Sequence, residues 1–324
     1  MSASWQPTLP RDPLPALLAP GDEARAYFGR RDLLGEAVGP VEALWGVPGA
    51  LTILKKQQDG GSWRYPGARS DRYANYDLLE TYRSLRVLVE MYGLDRRHPA
   101  IERAAGYVFS CQAEEGDIRG ILGPQYMPYY HGAILELLVK AGYADDPRVE
   151  RGLAWLLSVR QGDGGWLVPM QAVPPQERTE ALWRGAPVPF DPAHCSSHLA
   201  TGMALRALAA HPAYRSRPEV QAAGEWLKGR IFKPDHYNDR KAPAYWCKFQ
   251  YPFWWPNLLT TLDSLSLIGW ARDDAGVQKG LAWFAAHQEP DGLWPTGYGK
   301  GKQAAAMRAW VGLAVCRVLQ RFFA

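Results

Sequence analysis

The chain has 324 residues, 47% of them hydrophobic and 22% charged, which suits a folded protein and excludes a disordered one. Its net charge of +4 comes with no basic run longer than Arg30-Arg31 or Lys55-Lys56, so composition argues against nucleic-acid binding. No apolar stretch reaches the ~18 residues a membrane span needs. Four cysteines (Cys111, Cys195, Cys247, Cys316) without a CxxC pair, and an N-terminus lacking signal-peptide character, lead us to expect a soluble cytoplasmic protein.

In chain order, the prolines of residues 1–20 (Pro7, Pro10, Pro13, Pro15, Pro20) predict an extended surface segment, ahead of a single domain over 21–324. Asp22 starts a helix through Leu34, with Ala26, Tyr27, Leu33 and Leu34 as its expected buried side, and Gly35 stops it. Two kinds of helix then alternate. The outer kind opens at His98-Pro99, Asp146-Pro147, Arg217-Pro218 and Asp274-Ala275 and runs to about Gln112, Arg160, Phe232 and Gln288. Its earliest copy covers Val41–Gln57. The inner kind is apolar over most of its circumference: Asp77–Tyr92, His131–Ala141, Cys195–Ala210, Asn257–Ile268 and Gln303–Phe322. No run alternates at period two, so no sheet is expected. Five outer–inner hairpins and the first helix should close into a ring. Inner-to-outer turns are short, whereas outer-to-inner connections are long, up to about thirty residues between Gln161 and His194. Binding and chemistry are expected on the face where the long ones emerge.

One ending recurs. KGLAWFAAHQEPDGLW (Lys279–Trp294) matches RGLAWLLSVRQGDGGW (Arg151–Trp166), and Leu51–Trp63 and Arg103–Asp117 are worn copies. Positive φ is expected at Gly60, Gly164 and Gly292, where the chain leaves the helix. The Gln–Asp-Gly–Trp ending resembles the QW repeat of the squalene-cyclase and protein-prenyltransferase superfamily over roughly residues 40–322. That resemblance implies an all-α fold, an α/α toroid, with Gln and Trp in structural roles. It also implies an isoprenoid-like substrate.

The family's catalytic patterns are incomplete here. There is no DxDD acid; Asp145-Asp146 and Asp273-Asp274 fall at outer-helix starts, where carboxylates cap. Cys195 looks similar to the zinc-binding cysteine of prenyltransferases, but Asp191 is displaced by two residues and the next inner helix begins without histidine. Cys195 and His198 are one turn apart and could share zinc with Asp191 or His131.

Four inner helices share a Leu-charged-x-Leu step carrying Arg86, Glu136, Arg206 and Asp263, alternating in sign, which predicts partnered charges in the wall, Glu136 with Arg86 or Arg206. The long connections are aromatic yet nearly neutral, with 12 Lys/Arg and 13 Asp/Glu over 58–75, 113–128, 161–193, 232–256 and 289–302; only 232–256 (Lys233, Arg240, Lys241, Lys248) leans basic. The expected reactive set is His131, Asp191, Cys195, His198 and Asp263. The expected substrate walls are Tyr73, Tyr76, Asp77, Tyr129, Tyr130, Trp246, Trp254 and Trp255. The expectation is a cyclase- or prenyltransferase-like protein enclosing an apolar or aromatic ligand, with diverged activity. A peptide- or lipid-binding scaffold is the first rival. A carbohydrate-active α/α barrel, needing facing carboxylates among Asp77, Asp191 and Asp263, is the second. Oligomeric state is left open.

Overall fold

A computed structural model describes residues 5–70, 74–237 and 242–324. Among them there are helices and isolated bridges but no strand. The main helices are α1 (Glu23–Phe28), α2 (Pro48–Leu54), α3 (Tyr76–Tyr92), α4 (Pro99–Ser110), α5 (Pro128–Leu138), α6 (Pro147–Ser158), α7 (His198–Ala210), α8 (Pro218–Lys228), α9 (Leu258–Leu267), α10 (Ala275–Ala286) and α11 (Gly301–Phe323). Their starts follow the local chemistry: Pro is the first residue of α2, α4, α5, α6 and α8, while Asn75, Ser197 and Asn257 cap α3, α7 and α9.

The inner helices pack side by side in the order α3, α5, α7, α9, α11, and α1 closes the circuit between α11 and α3. The outer helices α4, α6, α8 and α10 cover them. The molecule is an α/α toroid. Its tightest wall is α5 on α7: a Cβ on Gly132 would stand 2.8 Å from the Met203 carbonyl oxygen, so only glycine allows that approach.

The tryptophan of the repeated ending does the same work wherever it is present, while Gln161 donates instead to the Asp191 carbonyl (3.0 Å). Trp63, Trp166 and Trp294 are buried and donate Nε1–H to the carbonyls of Ile53, Leu156 and Phe284, each ten residues back, at 2.7–2.8 Å. Gln57 donates to Gly61 and to Ala100 in α4; Gln112 donates to Gly116 and to Arg148 in α6. Each glutamine thus closes its own turn and ties it to the next outer helix. Gln288 reaches the N-terminal segment instead, donating to the Arg11 carbonyl (2.8 Å) and accepting from the Arg11 amide (2.9 Å).

Several expectations are corrected. Residues 5–20 are not extended: they form the turns Gln6–Thr8 and Leu14–Leu17 and bury Trp5 and Leu17 completely, which is how they close the last repeat. Val41–Gln57 is not one helix, because Pro48, lacking an N–H, separates a 3₁₀ turn (Val41–Gly46) from α2. α5 begins at Pro128 rather than His131, and both α1 and α5 continue as wider π turns (Gly29–Leu34, Val139–Tyr143). That widening shifts the stripe of α1, which buries Ala24, Arg25, Phe28 and Leu33 and leaves Leu34 41% exposed. The first copy's positive φ falls on Gly61 (88°), not Gly60.

Candidate functional site

All inner helices start at the long-connection end of the ring and finish at the short-turn end, so the two ends carry different chemistry. At the long-connection end side chains cap the N–H groups of α3, α7 and α9 but not those of α5 and α11. The connection before α9 does not stand open as a mouth. Residues 249–256 turn into the ring, where Tyr251 donates its hydroxyl to the Glu90 carbonyl (3.1 Å) and stacks on Trp310 at 5.5 Å. Arg206 donates to the Trp254 carbonyl (2.9 Å), and Arg86 to the carbonyls of Pro252 and Phe253 (3.3 Å each). The centre of the ring is closed from this side.

Beside that plug lies a cavity of about 390 Å³, walled by Met127, Tyr129, Val168, Met170, Trp183 and Tyr237. Leu122, 39% exposed, stands at its edge, and Arg178 and His236 are its charged or titratable members. Arg178 is held by donating to the Val173 (2.8 Å) and Gln171 (3.0 Å) carbonyls. Burial pushes the Tyr237 hydroxyl up to about 12, so it stays protonated and donates to the Cys195 carbonyl (2.8 Å).

At the short-turn end a cavity of about 750 Å³ opens among the C-terminal ends of the inner helices. Lys140, Arg317 and Arg321 line it with Asp32, Glu90 and Asp263; Phe28, Tyr251 and Phe253 are its aromatic surfaces. Cations belong at helix C-termini, where carbonyls lack partners. Each acid here has a base. Arg317 meets Asp32 at 2.5 Å, Lys140 bridges Glu90 (2.5 Å) and Glu136 (2.7 Å), and Arg321 pairs with Asp263. Deeper in, Glu136 meets Arg206 at 2.5 Å, both side chains 2% exposed. Burial alone would raise the Glu136 carboxyl, but Arg206 and Lys140 outweigh it and hold it below the usual carboxylate range. The expected wall pair is therefore present with Arg206; Arg86 turns to the plug.

The expected reactive side chains do not converge. His131 is buried, accepts from the Ile118 amide at Nδ1 (2.9 Å) and donates from Nε2 to the Gly152 carbonyl (2.9 Å), latching α5 to α6. Burial lowers its pKa to about 4. Asp191 is an exposed loop residue accepting from the Ala193 amide. Cys195 is exposed, and its carbonyl accepts from Tyr237. His198 is buried, 3.8 Å from Asp235 and against Trp246. Asp263 faces the other end of the ring. Among the described residues no three His, Cys, Asp or Glu side chains group where they could hold a metal ion. Asp77 accepts from the Tyr65 amide and Arg69, Asp191 from the Ala193 amide, and Asp263 pairs with Arg321, so each of the three carboxylates has its own partners.

Of the expected walls, Tyr129 lines the apolar cavity, and Tyr130 and Trp255 pack against it from the plug side. Trp254 meets Tyr82 edge to face and lies under Arg86, Trp246 donates to the Lys233 carbonyl, and Tyr76 packs on Tyr65. Tyr73, Arg240 and Lys241 lie outside the described residues. Sequence reasoning missed Met127, Met170 and Lys140. Their apolar or helical surroundings read as ordinary core or surface, and no spacing signals a shared cavity.

No family model matches the chain, and no curated protein does. Solved structures with partial likeness include a protein from Actinoplanes (18% identity, TM-score 0.43, covering 93% of this chain and 89% of that one). Two others are variants of the type II terpene cyclase MstE from Scytonema. One is in complex with geranylgeranyl dihydroxybenzoate (15%, TM-score 0.47, 93% and 87%), the other with merosterolic acid A (14%, 0.46, 99% and 87%). With overlap this partial, the reading of the site rests on this chain's own residues. Among the described residues no helix is long and apolar enough to cross a membrane.

Proposed function

We propose that this protein binds a small apolar or aromatic molecule, of isoprenoid-like character, in the cavity at the long-connection end. The observation that carries this reading is the wall of Met127, Tyr129, Val168, Met170, Trp183 and Tyr237 around about 390 Å³. Pockets of this size with mostly apolar walls and a few polar groups suit small ligands. Two methionines give the wall adaptability, and Tyr and Trp give flat surfaces with a hydrogen-bonding tip. The Tyr237 oxygen, whose proton goes to the Cys195 carbonyl, can accept from a polar end of the ligand, and Arg178 lines the same cavity. Among the described residues no carboxylate lines the cavity.

Titration with farnesol and with 1-naphthol, followed by tryptophan fluorescence, tests it. Saturable quenching is expected, weakened at least tenfold in Met170→Trp, which fills the cavity, with the melting temperature little changed. Quenching that is absent, or unaltered by Met170→Trp, overturns the proposal.

A further inference from the structure

We propose that a second cavity, within the long connection between α6 and α7, takes a small organic ammonium ion, an amine on an apolar body. Residues 167–177 divide their side chains between two spaces. Val168, Met170 and Pro175 line the apolar cavity described above, while Leu167, Pro169, Ala172 and Pro174 line another of about 260 Å³. Val188, Pro189 and Phe190 complete its apolar wall, and its polar members are Gln161, Glu177, Asp191 and His194.

Charge is the first reason. Glu177 and Asp191 bring two carboxylates to this wall, and among the described residues no lysine or arginine lines it. Glu177 has no ion-pair partner among the described residues. Asp191 has the Ala193 amide (2.9 Å) and, at 3.5 Å, only the His194 ring. Both acids are exposed, so their pull on a cation is screened and modest, and the apolar wall must supply the rest of the affinity.

Hydrogen bonding is the second and independent reason. Gln161 is 2% exposed, and its Nε2 donates to the Asp191 carbonyl, which fixes which end of the amide is which. The other end, Oε1, is buried and accepts from nothing. Buried polar atoms are nearly always satisfied. The neighbouring wall offers little help, since Pro169, Pro174 and Pro189 have no N–H. Acceptors outnumber donors here, so the ligand must bring the N–H groups, and an ammonium brings three. Water could serve Gln161; only a cation also answers the two carboxylates. A hollow of about 680 Å³ shares Val173, Glu177, Val188 and Pro189 with the cavity, which leads an incoming amine past Glu177.

Calorimetric titration of the full chain with benzylamine is the test, at about pH 8, where ordinary imidazoles are neutral and the amine is still charged. Saturable binding is expected, weakened about fivefold when Glu177→Gln and Asp191→Asn are combined. Both positions are exposed and Asn keeps an oxygen for the Ala193 amide, so the melting temperature should not move. Benzyl alcohol, of the same shape without the charge, should bind more weakly than the amine. Met170→Trp fills the other cavity and should leave benzylamine binding unchanged, so failure here and failure of the apolar-ligand reading are told apart. No saturation, equal affinity for the alcohol, or unchanged affinity in the double variant overturns the proposal. Loss of amine binding in Met170→Trp places the amine in the other cavity and overturns it too.

Discussion

The two ends of this ring are built from the same helices and held by different forces. At the long-connection end the helix starts satisfy their own N–H groups with Asn75, Ser197 and Asn257, leaving the connections free to bring aromatics and methionines together. At the short-turn end the backbone of the turns closes the helix ends, as Gly93, His211 and Ile268 do for α3, α7 and α9, and Lys140, Arg317 and Arg321 draw Glu90, Glu136, Asp32 and Asp263 to them. Helix polarity thus sorts the ring into an apolar end and a charged end. The connection length decides which of them has room for a pocket made by loops.

That difference can be broken with one substitution at each end. Glu136→Gln should cost about 3–5 kcal/mol, because it strands Arg206 in the wall. Pairing it with Arg206→Met should return much of the loss, read by urea unfolding. Trp166→Ala, at the other end, should cost a similar ~3–5 kcal/mol through the cavity left by a fully buried ring. No second change of charge should rescue it. Equal rescue at both ends, or none at either, would erase the distinction.

His131 offers a pH test between the ends. Its folded pKa of about 4 lies below the ordinary value of 6.5, so the folded state favours the neutral ring. The stabilisation is complete above pH 6.5 and declines as pH falls toward 4, where the unfolded chain binds the proton first. The loss should amount to ~3 kcal/mol. His131→Asn should flatten stability across that window, while a curve as steep as wild type would place the proton elsewhere.

The smallest effect concerns Cys195. It is exposed near the apolar cavity's edge, whereas Cys316 is buried and its thiol pushed well up by burial, as Cys111 and Cys247 are to a lesser degree. Limited alkylation with peptide mapping should label Cys195 first and leave the melting temperature unchanged. First labelling at Cys111 would mean the long-connection end is less open than described.

Much of the scaffold could be read from residue order because it rests on local rules. Pro-started outer helices, apolar inner helices and the recurring Gln–Gly–Trp ending each depend on neighbours within about ten residues, and the ring follows from repeating them. The alternating charges of Arg86, Glu136, Arg206 and Asp263 were visible for the same reason, since equivalent positions in a repeat fall at similar depth. Their partners were not. Lys140, on the π turn after Leu138, takes Glu136 four residues back and Glu90 across from α3, and Arg321 takes Asp263 because α11 is the neighbour of α9 in the ring. His131, Cys195 and His198 looked like one reactive face at helical spacing. Yet α5 starts three residues earlier than its apolar run suggests, so His131 sits inside the helix and bonds Gly152 of α6, and Asp235 with Trp246 holds His198 in the wall. Above all, the aromatic stretch 249–256 reads as a mouth and folds as a plug. Whether such a segment lines a cavity or fills it depends on the width of the ring and on what Arg86, Arg206 and Glu90 offer its carbonyls and hydroxyls, contacts separated by up to 167 residues of chain. Local order dictated the helices and their repeat; long-range packing decided which end of the ring is open and to what.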